Sequence, residues 1–194
     1  MAFDGIIFGL LFGFLRRGSI KNFASIRLKY GWMFPLLLLI QIFVFVFQSK
    51  LGWLEAISNY TFAAVYIIGF IFLWMNRKER GFLLVLAGAF LNFLVMIVNG
   101  GRMPVSIEAA EVALDPFFVE ILRQGITYGK HTAMTAQTHL TFLGDIIPLT
   151  KPYYKQQVIS IGDVIESIGI MIYIQTVMLR GKSSHNHVAA ANQA

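Results

Sequence analysis

The chain has 194 residues, 57% of them hydrophobic and only 13% charged, with eighteen phenylalanines, a net charge of +6 and a mean hydropathy of +0.67. A soluble core of this length does not need so much apolar surface, and the composition points to a membrane protein. No basic groove with interleaved aromatic residues accompanies the charge, which argues against nucleic acid as a partner, and the absence of cysteine excludes disulfides and thiolate metal sites.

A spanning helix takes about 20 apolar residues. The first apolar run, residues 1–15, is short. At about 1.5 Å per residue it reaches roughly 22 Å, so it must borrow length from the stems of Arg16 and Arg17 or thin the bilayer. It lacks a basic leader and a small-residue cleavage site, and reads as a helix of the mature protein rather than a signal peptide. Gly5, Gly9 and Gly13 recur along it every four residues. They make a flat face for close approach by a neighbouring helix, a second copy or a membrane-protein partner. Residues 19–29 follow as a basic interfacial stretch.

Runs at residues 32–48, 56–75, 82–98 and 158–179 approach spanning length. The cations between and after the runs are Arg16, Arg17, Lys21, Arg27 and Lys29, then Arg77, Lys78 and Arg80, then Arg180 and Lys182; Glu79 is the one acid among them. By the positive-inside rule these loops face the cytoplasm, which puts the N-terminus outside, the C-terminus inside, and residues 49–55 and 99–157 outside. Several runs carry a small or polar face. The second offers Gln41 and Gln48, the fourth Gly81, Gly88, Asn92 and Asn99, and the last Gly162, Glu166, Gly169, Tyr173 and Thr176 with Asp163 at its edge. Hydrocarbon penalises such groups, so these faces are expected to turn toward one another and build a polar interior.

The stretch "NGGRMPVS" closes the fourth run at residues 99–106. Gly100 and Gly101 let the chain leave the helix through positive φ, and Pro104 prevents an immediate restart. The turn is expected to aim Arg102 over the bundle mouth toward Asp163 or Glu166, whose carboxyls at bilayer depth need a partner. Beyond it, Ser106 suits the cap of a short helix with Glu108 in its first turn. Asp115 followed by Pro116 opens a second helix that ends near Gly125. The apolar face of that helix, Phe117, Phe118, Ile121 and Leu122, is expected to lie on the membrane or cover the bundle mouth. In "GDIIP" a turn is expected to fold Ile146 and Ile147 toward the membrane and hold Asp145 at its surface. His131, His139 and Asp145 are residue types that bind zinc, but no HExxH-like spacing supports a site and no metal is expected. No nucleophile elbow, phosphate loop or dinucleotide fingerprint is present. Residues 181–194 read as a disordered cytoplasmic tail in which His185 and His187 are solvated.

"NGGRMPVS", "KHTAMTAQTHLTFLGDIIPL" and "SIGDVIESIGI", with the glycine-rich first run, resemble a family of small bacterial multi-pass membrane proteins, domain of unknown function 5317. The resemblance covers nearly the whole chain except the tail. It implies that Asn99, Gly100, Gly101, Met103, Pro104, His131, Asp145, Gly162 and Asp163 match the family's recurrent pattern. It implies no activity and no cofactor.

The expected architecture is an all-α, polytopic bundle of about five transmembrane helices in the bacterial cytoplasmic membrane, one domain over residues 1–180 with an outer cap at 99–157. The leading functional expectation is an outward-facing polar pocket lined by Asn92, Asn99, Arg102, His131, Asp145, Asp163 and Glu166. It would bind a small polar molecule, an ion or a lipid headgroup for transport or sensing. One alternative is a structural or accessory subunit of a membrane complex. The other is a membrane-embedded enzyme using the same acids and histidines on a lipid-linked substrate.

Overall fold

The structure, a computed structural model, describes residues 2–47, 51–127 and 129–191. Met1, Gln48 and residues 192–194, which figure in the expectations above, lie outside the described residues. Five longer helices fall on the five apolar runs: α1 (Ala2–Leu15), α2 (Met33–Phe47), α3 (Gly52–Met75), α4 (Phe82–Val98) and α7 (Ile161–Ala191). The segment between α4 and α7 holds α5 (Ile107–Ala113) and α6 (Pro116–Arg123) with four strands, β1 (Met103–Val105), β2 (His131–Ala133), β3 (Ile147–Leu149) and β4 (Gln157–Ile159). Among the described residues, Ile161–Arg180 is long and apolar enough to cross a membrane by length and composition, and four shorter apolar helices accompany it.

The long helices pack as a row in the order α1, α7, α4, α3, α2, so α7 and not a sequence neighbour separates α1 from α4. Glycine makes this possible. A Cβ on Gly5 would lie 2.6 Å from the Ser167 carbonyl oxygen of α7, and one on Gly9 would lie 2.9 Å from Cβ of Ile174. The stripe expected to receive a helix therefore faces α7 of the same chain. On its other side α7 meets α4 through two glycine pairs, Gly88 with Gly162 and Gly81 with Gly169. The small faces of α4 and α7 thus turn toward each other, as their spacing predicts.

The basic end of the row is tied by polar contacts. Asn76, at the end of α3, accepts from the Lys29 amide (2.8 Å) and donates to the Lys29 carbonyl (3.0 Å). Asn22 donates to the Met178 carbonyl at 2.7 Å, and Arg180 pairs with Glu79. Glu79, the single acid among those cations, thus fastens the α3 to α4 turn to α7.

The opposite end is capped by the mixed segment. Ser106 accepts from the Ala109 amide and Asp115 from the Phe117 amide, both in the expected capping positions. Gly100 and Gly101 have φ of +71° and +81°, and Gly101 donates to the Met96 carbonyl. The turn they make delivers β1, which pairs in parallel with β2, while β3 pairs antiparallel with β4. The fold is therefore mostly helical rather than all-α. The three-residue strands leave too short an apolar repeat for the sequence to announce them.

Two further expectations are corrected. Ile147 lies in β3 opposite Ile159 and Ile146 donates to the Ile159 carbonyl, so "GDIIP" enters a strand pair instead of turning toward the membrane. Asp145 is 4% exposed, a buried residue and not a surface one.

Candidate functional site

Ser160, just before α7, accepts from the Asp163 amide through its hydroxyl (3.0 Å), and Asp163 Oδ2 accepts from the Ser160 amide (3.2 Å). This reciprocal capping box satisfies two helix-end donors, and it accounts for one of the two acids. From α4, Asn92 serves both partners: its Oδ1 accepts from the Ser160 hydroxyl at 2.7 Å, and its Nδ2 donates to Asp163 Oδ1 at 3.1 Å. The same Nδ2 reaches Glu166 Oε1 only at 3.5 Å. Glu166, one turn deeper, has no other hydrogen-bond or ion-pair partner among the described residues.

Both acids face a cavity of about 610 Å³, within the range of ligand pockets. Asn92, Lys130, His131, Asp163 and Glu166 line one end of it. Lys130 precedes β2, which pairs with β1, and thereby enters over the α4 and α7 ends. Its ammonium has no hydrogen-bond or ion-pair partner among the described residues. Tyr66 beside it and the carboxyls of Asp163, Asp145 and Glu166 hold it protonated, above the ordinary lysine range, against the opposing effect of burial.

From this polar end the cavity continues between α2, α3 and α4 past Tyr66 and Gln41 to Phe34, Phe72, Leu73 and Val85. Along α4 its wall runs from Val85 to Met96, about 16 Å at 1.5 Å per residue. Phe3 of α1 and Leu38 of α2 complete the wall, and the cavity is partly open. The site is thus a long apolar slot with a charged end.

Behind His131 lies Asp145, with Oδ2 at 3.4 Å from the histidine Nε2. Desolvation pushes the Asp145 carboxyl up to about 7, with Lys130 pulling it down and Asp163 pushing it further up. Its Oδ1 is buried with no hydrogen-bond partner.

Of the seven residues expected to line a pocket, Asn92, His131, Asp163 and Glu166 do so, and Asp145 supports His131 from behind. Two do not. Arg102 donates to the Gly129 carbonyl and lies over the Phe62 ring, 5.8 Å from its centroid. The positive-φ turn leads directly into β1 and sets Arg102 against Gly129 and the α3 residue Phe62. Asn99 accepts from the His139 amide and donates to the His139 carbonyl, both at 2.9 Å, so it clamps a loop. No group of three metal-ligating side chains stands together among the described residues.

Three residues of this end were missed from sequence. Lys130 had a visible signal, as the first residue of the "KHTAMTAQ" stretch and the cation nearest His131. Ser160 had another, the S-x-x-D spacing of a capping box opening the last helix. Asp4, 2% exposed in α1, accepts from the Tyr154 hydroxyl and so ties α1 to the cap; its position among apolar residues was the signal.

The comparisons with known proteins bear on the same segments. The pattern of DUF5317, a family of unknown function, matches residues 25–175, which include all the polar residues of the cavity. The chain belongs to that family. It is 32% identical over 173 residues to an uncharacterized protein of Thermotoga maritima, a match that covers 89% of each chain. No solved structure matches the chain.

Proposed function

We propose that the chain is a five-span protein of the bacterial cytoplasmic membrane with its N-terminus and cap outside. It binds a small polar ligand or a lipid headgroup in an outward-facing pocket for transport or sensing. The observation that carries this reading is the cavity, whose polar end gathers Asn92, Lys130, His131, Asp163 and Glu166 on the cap side of the bundle. Support for the bilayer comes from the large apolar side chains left uncovered along the outer faces of the helices, among them Leu15, Trp32, Leu39, Leu83 and Phe90. A water-soluble monomer rarely leaves so much contiguous apolar surface bare. The cations at the other end, beside the Asn76 and Glu79 ties, fit a cytoplasmic face.

The test of orientation is a set of reporter fusions. Those at Met1 and Gly52 are expected to read outside, and those at Lys78 and Lys182 inside. Lys78 and Lys182 on opposite sides would remove the five-span reading. The test of the pocket is thermal melting of the purified protein with soluble phosphoethanolamine, glycerol phosphate or simple amines. A saturable rise in melting temperature, lost in Lys130→Met and Glu166→Gln, is expected; no rise with any headgroup analogue, and no retained ligand in native mass spectrometry, would leave the pocket without an occupant.

A further inference from the structure

The polar end of the cavity holds two groups that the protein leaves incompletely paired: the Lys130 ammonium, without a partner among the described residues, and the Glu166 carboxyl, with one long bond from Asn92 at 3.5 Å. They arrive from different elements, Lys130 from the cap and Glu166 from α7. A purely anionic headgroup would meet Lys130 but also two carboxyls, Asp163 and Glu166. A purely cationic one would meet the acids but also the lysine. A headgroup with both signs satisfies the set, and its positive part must carry N–H donors if it is to bond Glu166.

The rest of the cavity is the wrong shape for a small polar ligand. Below Asn92 its wall runs on along α4 to Val85, about 10 Å, lined by Leu37 and Leu38 of α2 and Phe70, Phe72 and Leu73 of α3, beyond the reach of any headgroup. Half of a hydrocarbon core about 30 Å thick is about 15 Å, the depth of one leaflet. A chain hanging from the polar end would occupy about two thirds of that depth. α1 and α2, at the two ends of the helix row, both contribute to the wall without packing closely on each other.

We infer that the cavity holds one membrane lipid with a primary-amine zwitterionic headgroup, a phosphatidylethanolamine-type lipid. Its phosphate lies at Lys130, its ammonium at Glu166, and one acyl chain lies in the slot between α2, α3 and α4. This rests on the proposed outward-facing pocket and names its occupant.

Gly69 supplies the decisive variant. It lines the slot on α3, and a Cβ built on it meets no atom within 4 Å. Gly69→Leu therefore starts a side chain in open space on the wall of the slot and takes up room the acyl chain would need, and replacing glycine inside a helix favours folding. The experiment is native mass spectrometry of the delipidated full chain, offered phosphatidylethanolamine, phosphatidylcholine and phosphatidylglycerol with identical acyl chains. The wild type is expected to retain one phosphatidylethanolamine roughly tenfold better than the other two, the equivalent of one charge-assisted hydrogen bond. Gly69→Leu is expected to lose that lipid while melting at an equal or higher temperature. Glu166→Gln is expected to keep lipid but lose the preference over phosphatidylcholine, which has no N–H.

Equal retention of all three lipids by the wild type would overturn the inference, as would undiminished phosphatidylethanolamine binding by well-folded Gly69→Leu. The wild-type selectivity decides the matter even if Gly69→Leu fails to fold. If soluble phosphoethanolamine raises the melting temperature of wild type and Gly69→Leu alike while no lipid is retained, the pocket stands and the lipid falls. If no headgroup analogue binds and the fusions disagree with five spans, both fall.

Discussion

His131 and Asp145 flank the same strand: His131 pairs with Met103 and Asp145 bridges Val105, and their side chains meet at 3.4 Å between Nε2 and Oδ2. β1 thereby fixes a buried carboxyl directly behind one wall of the cavity. Because it lies in the cap, its titration reports on the polar end of the site.

The Asp145 carboxyl is raised from 3.8 to about 7, chiefly by desolvation, so the folded protein binds its proton more tightly than the unfolded chain does. Between about pH 4 and pH 7 the folded state then holds more protons, and stability from this residue falls as the pH rises. Below about 4 and above about 7 the contribution is flat. The full displacement corresponds to on the order of 4 kcal/mol, with the opposing pull of Lys130 already included. Melting temperatures across this window should decline in the wild type and decline less in Asp145→Asn. An identical slope in both would place the titration elsewhere.

The glycines of the helix row divide into those against a neighbouring helix and those against space, and substitutions should divide the same way. Gly9→Leu drives a side chain into Ile174 and Met171 of α7, and overpacking of this kind costs about 1–3 kcal/mol or more. Lower yield of folded protein and an earlier melt are expected. Gly69→Ala meets nothing within 4 Å and should be neutral or stabilising by up to about 1 kcal/mol. Equal behaviour of the two variants in a detergent melt would mean that α1 does not lie on α7.

Period and charge made the five long helices legible, because an apolar stretch near spanning length bounded by cations needs no tertiary information. The caps at Ser106 and Asp115 and the positive φ at Gly100 and Gly101 were legible for the same reason, each being a local backbone requirement. Two things were not. The order of the helices depends on which glycine face meets which, and the periodicity of Gly5, Gly9 and Gly13 does not name α7 as its partner. The contacts of Arg102 with Gly129 and Phe62 were not legible either, because depth along a helix is readable from sequence while direction around it is not. The cation that lines the cavity with the acids is Lys130, thirty positions after Gly100.

That exchange of cations leads to a coupling experiment. Arg102 bonds to the Gly129 carbonyl and touches Phe62, whereas Ser160, Asp163 and Asn92 form one network. Contacting residues in one network show interaction energies of about 0.5–3 kcal/mol, and separate ones add within about 0.5. In a double-mutant cycle, Arg102→Met with Glu166→Gln should therefore be additive, with no rescue of stability. Ser160→Ala with Asp163→Asn should be clearly non-additive, since either change alone opens the capping box and leaves the partner's donor or acceptor unsatisfied. Each single change at the box should cost about 1–2 kcal/mol, while Glu166→Gln, which disturbs only a 3.5 Å bond, should leave the melt nearly unchanged. Strong coupling between Arg102 and Glu166 would restore the ion pair across the bundle mouth and displace Lys130 from its role. Additivity there, with coupling at the box, separates the acid that builds the helix from the acid left for a ligand.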